Sequence, residues 1–174
     1  MSQDIRLRVI IVGAGIAGLF AARVLREKHD VTVLERSAGG NEVGAALTPG
    51  PNATRILDQY GWDPRRCGAL VLDKARTFDH RGNLIQETAL TEIKQTFGSD
   101  WHVVHRIDLW NELLRLATAP SEELGIGGKP ANIKWRADVV DVNTNSGDVR
   151  LGDGTVVPSD FIIGKTYLLV PCLV

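Results

Sequence analysis

Three glycines, Gly13, Gly15 and Gly18, stand in the spacing G-x-G-x-x-G, and an acidic residue, Glu35, follows 22 positions after the first of them. These residue types at these positions suit the phosphates and ribose of a dinucleotide. A glycine at 13 permits a tight turn, one at 15 lets a pyrophosphate approach the backbone, and one at 18 lets a helix lie close on a sheet. The start of that helix offers unbonded N–H groups and a partial positive charge, so Ile16 and Ala17 join the glycines as expected phosphate-side residues. Glu35 can accept hydrogen bonds from a ribose 2′-hydroxyl and would repel a 2′-phosphate. The pattern favours the ADP half of FAD or NAD over NADP, and position alone does not choose between FAD and NAD.

Such a glycine string has meaning only between a strand and a helix. The run Arg-Val-Ile-Ile-Val at 8–12 is short, apolar and β-branched, as a buried parallel strand requires. Residues 19–27 are rich in helix formers with apolar residues at helical spacing. Val31-Thr-Val-Leu34 is a second strand that ends at Glu35, which completes a βαβ unit with two adjacent parallel strands. Val9 to Ala22 is also a fourteen-residue uncharged stretch after Arg6 and Arg8. The glycine spacing and the lack of an A-x-A site argue against a signal peptide, and the stretch is too short to span a bilayer.

Farther along, glycines and prolines between 39 and 51 predict a loop, and Pro51-Asn52 predicts a helix start. Ala53, Ile56, Leu57 and Tyr60 would be its buried stripe, with Gly61 as its stop. Arg76–His80 and Leu84–Glu87 flank Arg81-Gly-Asn83 as a hairpin, expected to begin a second, smaller substrate-side layer. Trp101–His105 reads as a strand. Asp108 is placed to cap a helix through Ala117, with Leu109, Leu113, Leu116, Trp110, Leu114 and Ala117 on one broad face. From Asn132 onward the pattern alternates strand and turn, the turns at 143–147 and 152–154, and Phe161–Gly164 reads as a last buried strand.

Composition narrows the function classes. The chain has 174 residues, 44% hydrophobic and 24% charged, with formal net charge -1. A near-neutral chain has no general attraction to nucleic acid, and its four tryptophans lack an accompanying basic stripe. No segment reaches membrane-spanning length. Cys67 and Cys172 form neither a disulfide framework nor a zinc pattern, which points to a reducing compartment, the cytoplasm. His29, His80, His102 and His105 show no metal-ligand spacing, so no metal is expected. There is no G-x-S-x-G elbow, and no acid–base pair is assigned a catalytic role. Arg65-Arg66 with Arg55 is expected to be a solvated patch.

Several further motifs occur in order: Glu35-Arg36, Glu42-Val-Gly-Ala-Ala-Leu47, Pro51-Asn-Ala-Thr-Arg-Ile-Leu57 and His105-Arg-Ile-Asp-Leu109. Together they resemble the FAD-dependent aromatic hydroxylases, single-component flavoprotein monooxygenases of the para-hydroxybenzoate and salicylate hydroxylase type. Fungal monooxygenases of secondary metabolism are the nearest flavour. The resemblance implies a Rossmann-like α/β FAD/NAD(P)-binding fold with an additional small β-layer. FAD would be the cofactor, NADPH the co-substrate, and an aromatic or polyketide-like small molecule the substrate. It also implies roles: Glu35 on the adenosine ribose, Arg36 beside the adenine, Gly44 to Ala46 along the flavin side, and Arg106 near the pyrophosphate or flavin. The family usually has Gly where this chain has Ala46. Apart from the resemblance, Arg106 reads equally well as a surface arginine paired with Asp108.

The resemblance runs from about Arg8 to Gly164 and matches the first part of a family member. Beyond it, family members continue with Ala-Asp-Gly, whereas this chain reads Lys165-Thr-Tyr and an apolar run to Val174. A later Gly-Asp motif and most of the substrate-binding sheet have no counterpart. The implied organisation is one FAD-binding domain over 1–174, incomplete, with 165–174 a divergent tail of a truncated product or a short isoform. Three readings follow: an FAD-dependent monooxygenase, a non-catalytic FAD- or nucleotide-binding fragment, or a NAD-dependent dehydrogenase. The last lacks a Tyr/Lys or His/Asp constellation.

Overall fold

The computed structural model describes residues 5–39 and 44–164. The divergent tail, and Glu42 and Val43 of the second motif, lie outside the described residues. The chain begins β1 (Arg8–Val12), α1 (Ile16–Leu25) and β2 (Asp30–Glu35). It continues through β3 (Ala46–Leu47), α2 (Pro51–Gln59), β4 (Leu70–Val71), β5 (Lys74–Phe78), β6 (Leu84–Ala89) and α3 (Ile93–Phe97). β7 (His102–His105), α4 (Arg106–Thr118) and α5 (Ser121–Leu124) follow. The last elements are β8 (Asn132–Trp135), β9 (Val139–Asn143), β10 (Asp148–Leu151), β11 (Val156–Pro158) and β12 (Phe161–Gly164). The chain divides into two compact units, one from residues 1–42 and 113–174, the other from 43–112.

The first unit is built on a parallel sheet of order β12-β1-β2-β8. β1 and β2 pair in register from Arg8↔Asp30 to Val12↔Leu34, the adjacent parallel strands that the βαβ pattern predicts. Successive residues on a strand face opposite sides, and β1 uses both. Ile11 faces α1, where its side chain lies 3.4 Å from the position a Cβ on Gly18 would take. Ile10 faces the other way, into a core with Leu34, Ala137, Val149 and Leu151. That second face is covered by the antiparallel sheet β11-β10-β9. β1 is thus covered on both faces, which is why Val9 to Val12 are continuously apolar rather than alternating.

Arg26 closes the far end of α1. Its side chain is fully buried, and the guanidinium donates to the carbonyls of Lys129 (3.0 Å), Leu116 (2.9 Å) and Ala119 (2.7 Å) and to the Ser121 hydroxyl (3.1 Å). Burial lowers the pKa of this group, and neighbouring Arg23 adds to the effect. The carbonyls at the end of α4 and the approach to β8 are satisfied by one side chain from α1.

In the second unit, short β3 and β4 flank β7, and β5 and β6 form a hairpin of their own. The hairpin forms where Arg81-Gly-Asn83 predicts it, with the Asp79 carboxylate accepting the N–H groups of Arg81 and Asn83. α2 begins at Pro51 as expected, but its buried residues are Thr54 and Leu57, while Ile56 is exposed. Thr54 turns inward because its hydroxyl donates to the carbonyls of Gly50 and Asp100. α4 starts at Arg106, not at Asp108. Asp108 therefore sits in the first turn, where its charge favours the helix without capping it. Arg66, expected in a solvated patch, faces the buried carboxylate of Glu112 at 3.4 Å.

Candidate functional site

The three glycines of the first unit are glycine for three different reasons. Gly13 has φ +103°, a left-handed conformation that strains any other residue, and its N–H donates to the Leu34 carbonyl at 2.8 Å. Gly18 is glycine because a Cβ there would overlap the carbonyl oxygen of Gly13. Gly15 has neither excuse. Its φ of -72° and ψ of 178° suit any residue, and a Cβ there would meet nothing within 4 Å among the described residues. The packing of the described residues does not require a glycine at 15, whereas a ligand that must touch the backbone would. Gly15 is the N-cap of α1 and supplies no side-chain cap, so among the described residues no cap side chain competes for the first-turn N–H groups of Ile16 and Ala17, which suit an acceptor from outside.

Glu35, at the C-terminal end of β2, turns its carboxylate toward this loop. One oxygen accepts the Ala14 N–H at 2.7 Å and the other the Ser37 N–H at 2.8 Å. Burial by itself would push this carboxyl up. The backbone N–H groups of Ser37 and Ala14, the Ser37 hydroxyl and Arg36 outweigh it and hold the group below the ordinary carboxylate range. An ionised carboxylate has about four acceptor positions. Two are taken by amides and the Ser37 hydroxyl engages a third, which leaves an acceptor position for a ribose hydroxyl. The residues fit the adenosine-diphosphate end of a dinucleotide: a bare backbone at 15, a helix N-terminus and an oriented, ionised acidic residue. Arg36, next in sequence, is exposed.

The second unit brings together the other expected residues. β3 pairs antiparallel with β7, Ala46 opposite His105, and the Arg106 N–H donates to the Ala45 carbonyl at 2.9 Å. Gly44 lies against the His105 ring, where a Cβ would overlap the imidazole. Gly44, Ala46 and Arg106 thus meet at one end of β7, although sixty positions separate them in sequence. His105, whose Nδ1 lies 3.9 Å from the Asp108 carboxylate, belongs with this group and was not evident from spacing. Among the described residues there is no group of three or more His, Cys, Asp or Glu placed to hold a metal.

The family model for FAD dependent oxidoreductases matches residues 8–98, more than half of the chain. The chain belongs to the FAD dependent oxidoreductase family. Family membership decides between FAD and NAD, and it removes the ground for the dehydrogenase reading. Relatives include hispidin-3-hydroxylase of Neonothopanus nambi, 33% identical over 159 residues, which cover 91% of this chain and 37% of the relative. The FAD-dependent monooxygenase cfoG of Aspergillus candidus is 35% identical over 168 residues, 94% of this chain and 38% of the relative. Among solved structures, that of CtdE in complex with FAD and a substrate superposes with a TM-score of 0.71 at 24% identity, over 92% of this chain and 37% of CtdE. This member of the family therefore spans less than two fifths of the length of these relatives. No helix among its described residues is long and apolar enough to cross a membrane.

Proposed function

We propose that this chain holds FAD for an NADPH-driven monooxygenase that hydroxylates an aromatic or polyketide-like small molecule. The observation that supports it most is the Glu35 carboxylate, fixed by the Ala14 and Ser37 amides beside an open Gly15. In this reading Gly13, Gly15, Ile16, Ala17 and Gly18 take the pyrophosphate, Glu35 takes the ribose, and Arg36 lies by the adenine. Gly44 and Ala46 are assigned to the flavin side, and Arg106 contributes a permanent cation near the pyrophosphate or flavin. Bound FAD would supply the redox chemistry between NADPH and O2, and the protein's part is to bind, orient and exclude water. The hydroxylase and monooxygenase names of the relatives support hydroxylation of an aromatic substrate, and the fungal relatives support a place in secondary metabolism.

A second reading, an FAD-binding piece without turnover of its own, is favoured by the 37–38% coverage of the relatives. One experiment separates the two. The purified chain is loaded with FAD, passed through gel filtration, and given NADPH and a panel of phenols. Hydroxylated product, at a rate lowered in Arg106→Ala, supports the monooxygenase. Retained flavin with no coupled product supports the binding piece, and loss of all flavin contradicts both.

A further inference from the structure

The carboxylate of Glu35 is only as well placed as the turn that holds it. One of its two amide partners, Ser37, lies on the short segment between β2 and the residues after Gly39. That segment is gripped by the end of β8. Trp135 is the register partner of Glu35 in the parallel pair β2–β8. Its indole lies against Gly39, where a Cβ would stand 3.3–3.4 Å from three ring atoms. Gly39 itself has φ +83°, so the turn is shaped to present bare backbone to the ring.

The next two residues complete the grip. The Arg136 N–H donates to the Ser37 carbonyl at 3.0 Å and the Ala137 N–H to the Glu35 carbonyl at 2.9 Å. Two successive amides can reach the same short segment because Arg136 adopts φ +58°, the one positive φ outside glycine among the described residues. An arginine rarely adopts this conformation unless the surroundings impose it. The residues on both sides of Ser37 are thus held from β8, by a flat ring on one side and by two amides on the other.

We propose that Trp135 is a positioning residue for Glu35: its contact with Gly39, together with the Arg136 and Ala137 amides, fixes the Ser37 turn and so sets the preference of the site for a ribose bearing its 2′-hydroxyl. The proposal rests on the reading that this site takes the adenosine end of FAD. Trp135 acts through the turn, and the ligand-facing group remains the carboxylate.

The test compares ADP with 2′-deoxy-ADP by calorimetry. A hydrogen bond to a charged group corresponds to a preference of about tenfold or more for ADP in the wild type. In Trp135→Ala the two ligands should bind within about twofold of each other, the loss falling on ADP. A merely structural role would weaken both equally and leave the ratio intact. Trp135→Phe, which restores a flat face, should recover most of the ratio. Should Trp135→Ala not fold, Trp135→Leu keeps the apolar bulk without the flat face and carries the same expectation. In a Glu35→Gln background the tryptophan change should have no further effect on the ratio. Full discrimination in folded Trp135→Ala or Trp135→Leu overturns the proposal. Failure of the wild type to bind ADP or FAD at all overturns instead the reading on which it rests.

Discussion

The two units solve the burial problem differently. In the first, the parallel sheet has α1 on one face and the β9–β11 sheet on the other, and Val9, Ile10, Ile11, Val33 and Leu34 are all buried. In the second, every residue of strands β5 and β6 is exposed, including Phe78, Leu84 and Ile85. The loop at Gly13–Gly18 therefore stands on a scaffold whose cohesion is internal, whereas the hairpin carries apolar surface that no described residue of its own unit covers. Loss of a contact in the first unit should appear as lost stability. The same kind of change in the hairpin should appear as altered self-association.

The largest effect is expected at Arg26. Arg26→Met keeps the bulk but leaves the buried Leu116 carbonyl and the partly buried carbonyls of Ala119 and Lys129 without their donor, which costs on the order of 3 kcal/mol after the relief of no longer burying a charge. Urea denaturation followed by far-UV circular dichroism would measure it, and a change below about 1 kcal/mol would break the contrast between the units. Gly18→Ala comes next. Alanine gains about 1 kcal/mol of helix propensity, but its methyl meets the Gly13 carbonyl, and overpacking against backbone costs more, for a net loss of about 2 kcal/mol. The same denaturation curves decide its sign.

A smaller, pH-dependent loss is expected at the edge of the parallel sheet. Asp160 accepts the Arg8 N–H and pairs with the Arg8 guanidinium, and these contacts lower its pKa to about 2. A carboxyl depressed in the folded state contributes stability above its unfolded pKa and loses it as pH falls through the folded value. Thermal stability should decline between about pH 4 and pH 2 in the wild type, and Asp160→Asn should flatten that part of the profile. The smallest change in stability is expected in the hairpin. Phe78→Ser with Leu84→Ser should alter the folding free energy by less than about 0.5 kcal/mol. It should lower concentration-dependent light scattering, since an exposed apolar hairpin invites association.

The contrast also explains what could be read from the sequence. The βαβ unit is local, so strand, glycine turn, helix and Glu35 were legible from their spacing, and so were the β5–β6 turn and the strands from β10 to β12; the break at Arg136 that separates β8 from β9 carries no glycine or proline and was not legible. β3 and β4 are two residues each and carry no periodicity. α3 buries none of its residues, which leaves no amphipathic signal. Asp108 looked like a cap because its residue type favours one, but β7 runs directly into α4 at Arg106, two residues earlier. The contacts that position the site are the least legible. Arg26 reads as an ordinary helix-end cation, yet its partners lie about a hundred positions away. Trp135 and Gly39 are likewise joined only through strand register. The expected Gly44, Ala46 and Arg106 cluster gains His105 only once β3 pairs with β7.

The central claim is that the loop at Gly13–Gly18 and the Glu35 carboxylate bind the adenosine-diphosphate end of FAD. The most direct test is isothermal titration of the wild type and Glu35→Ala with ADP and with adenosine 2′,5′-bisphosphate. The wild type should bind ADP and discriminate against the 2′-phosphate. Glu35→Ala should lose about 1.5–3 kcal/mol of ADP affinity, the worth of a hydrogen bond to a charged group, and should narrow the difference between the two ligands. Equal ADP affinity in the two proteins, or wild-type preference for the 2′-phosphate, would contradict the claim.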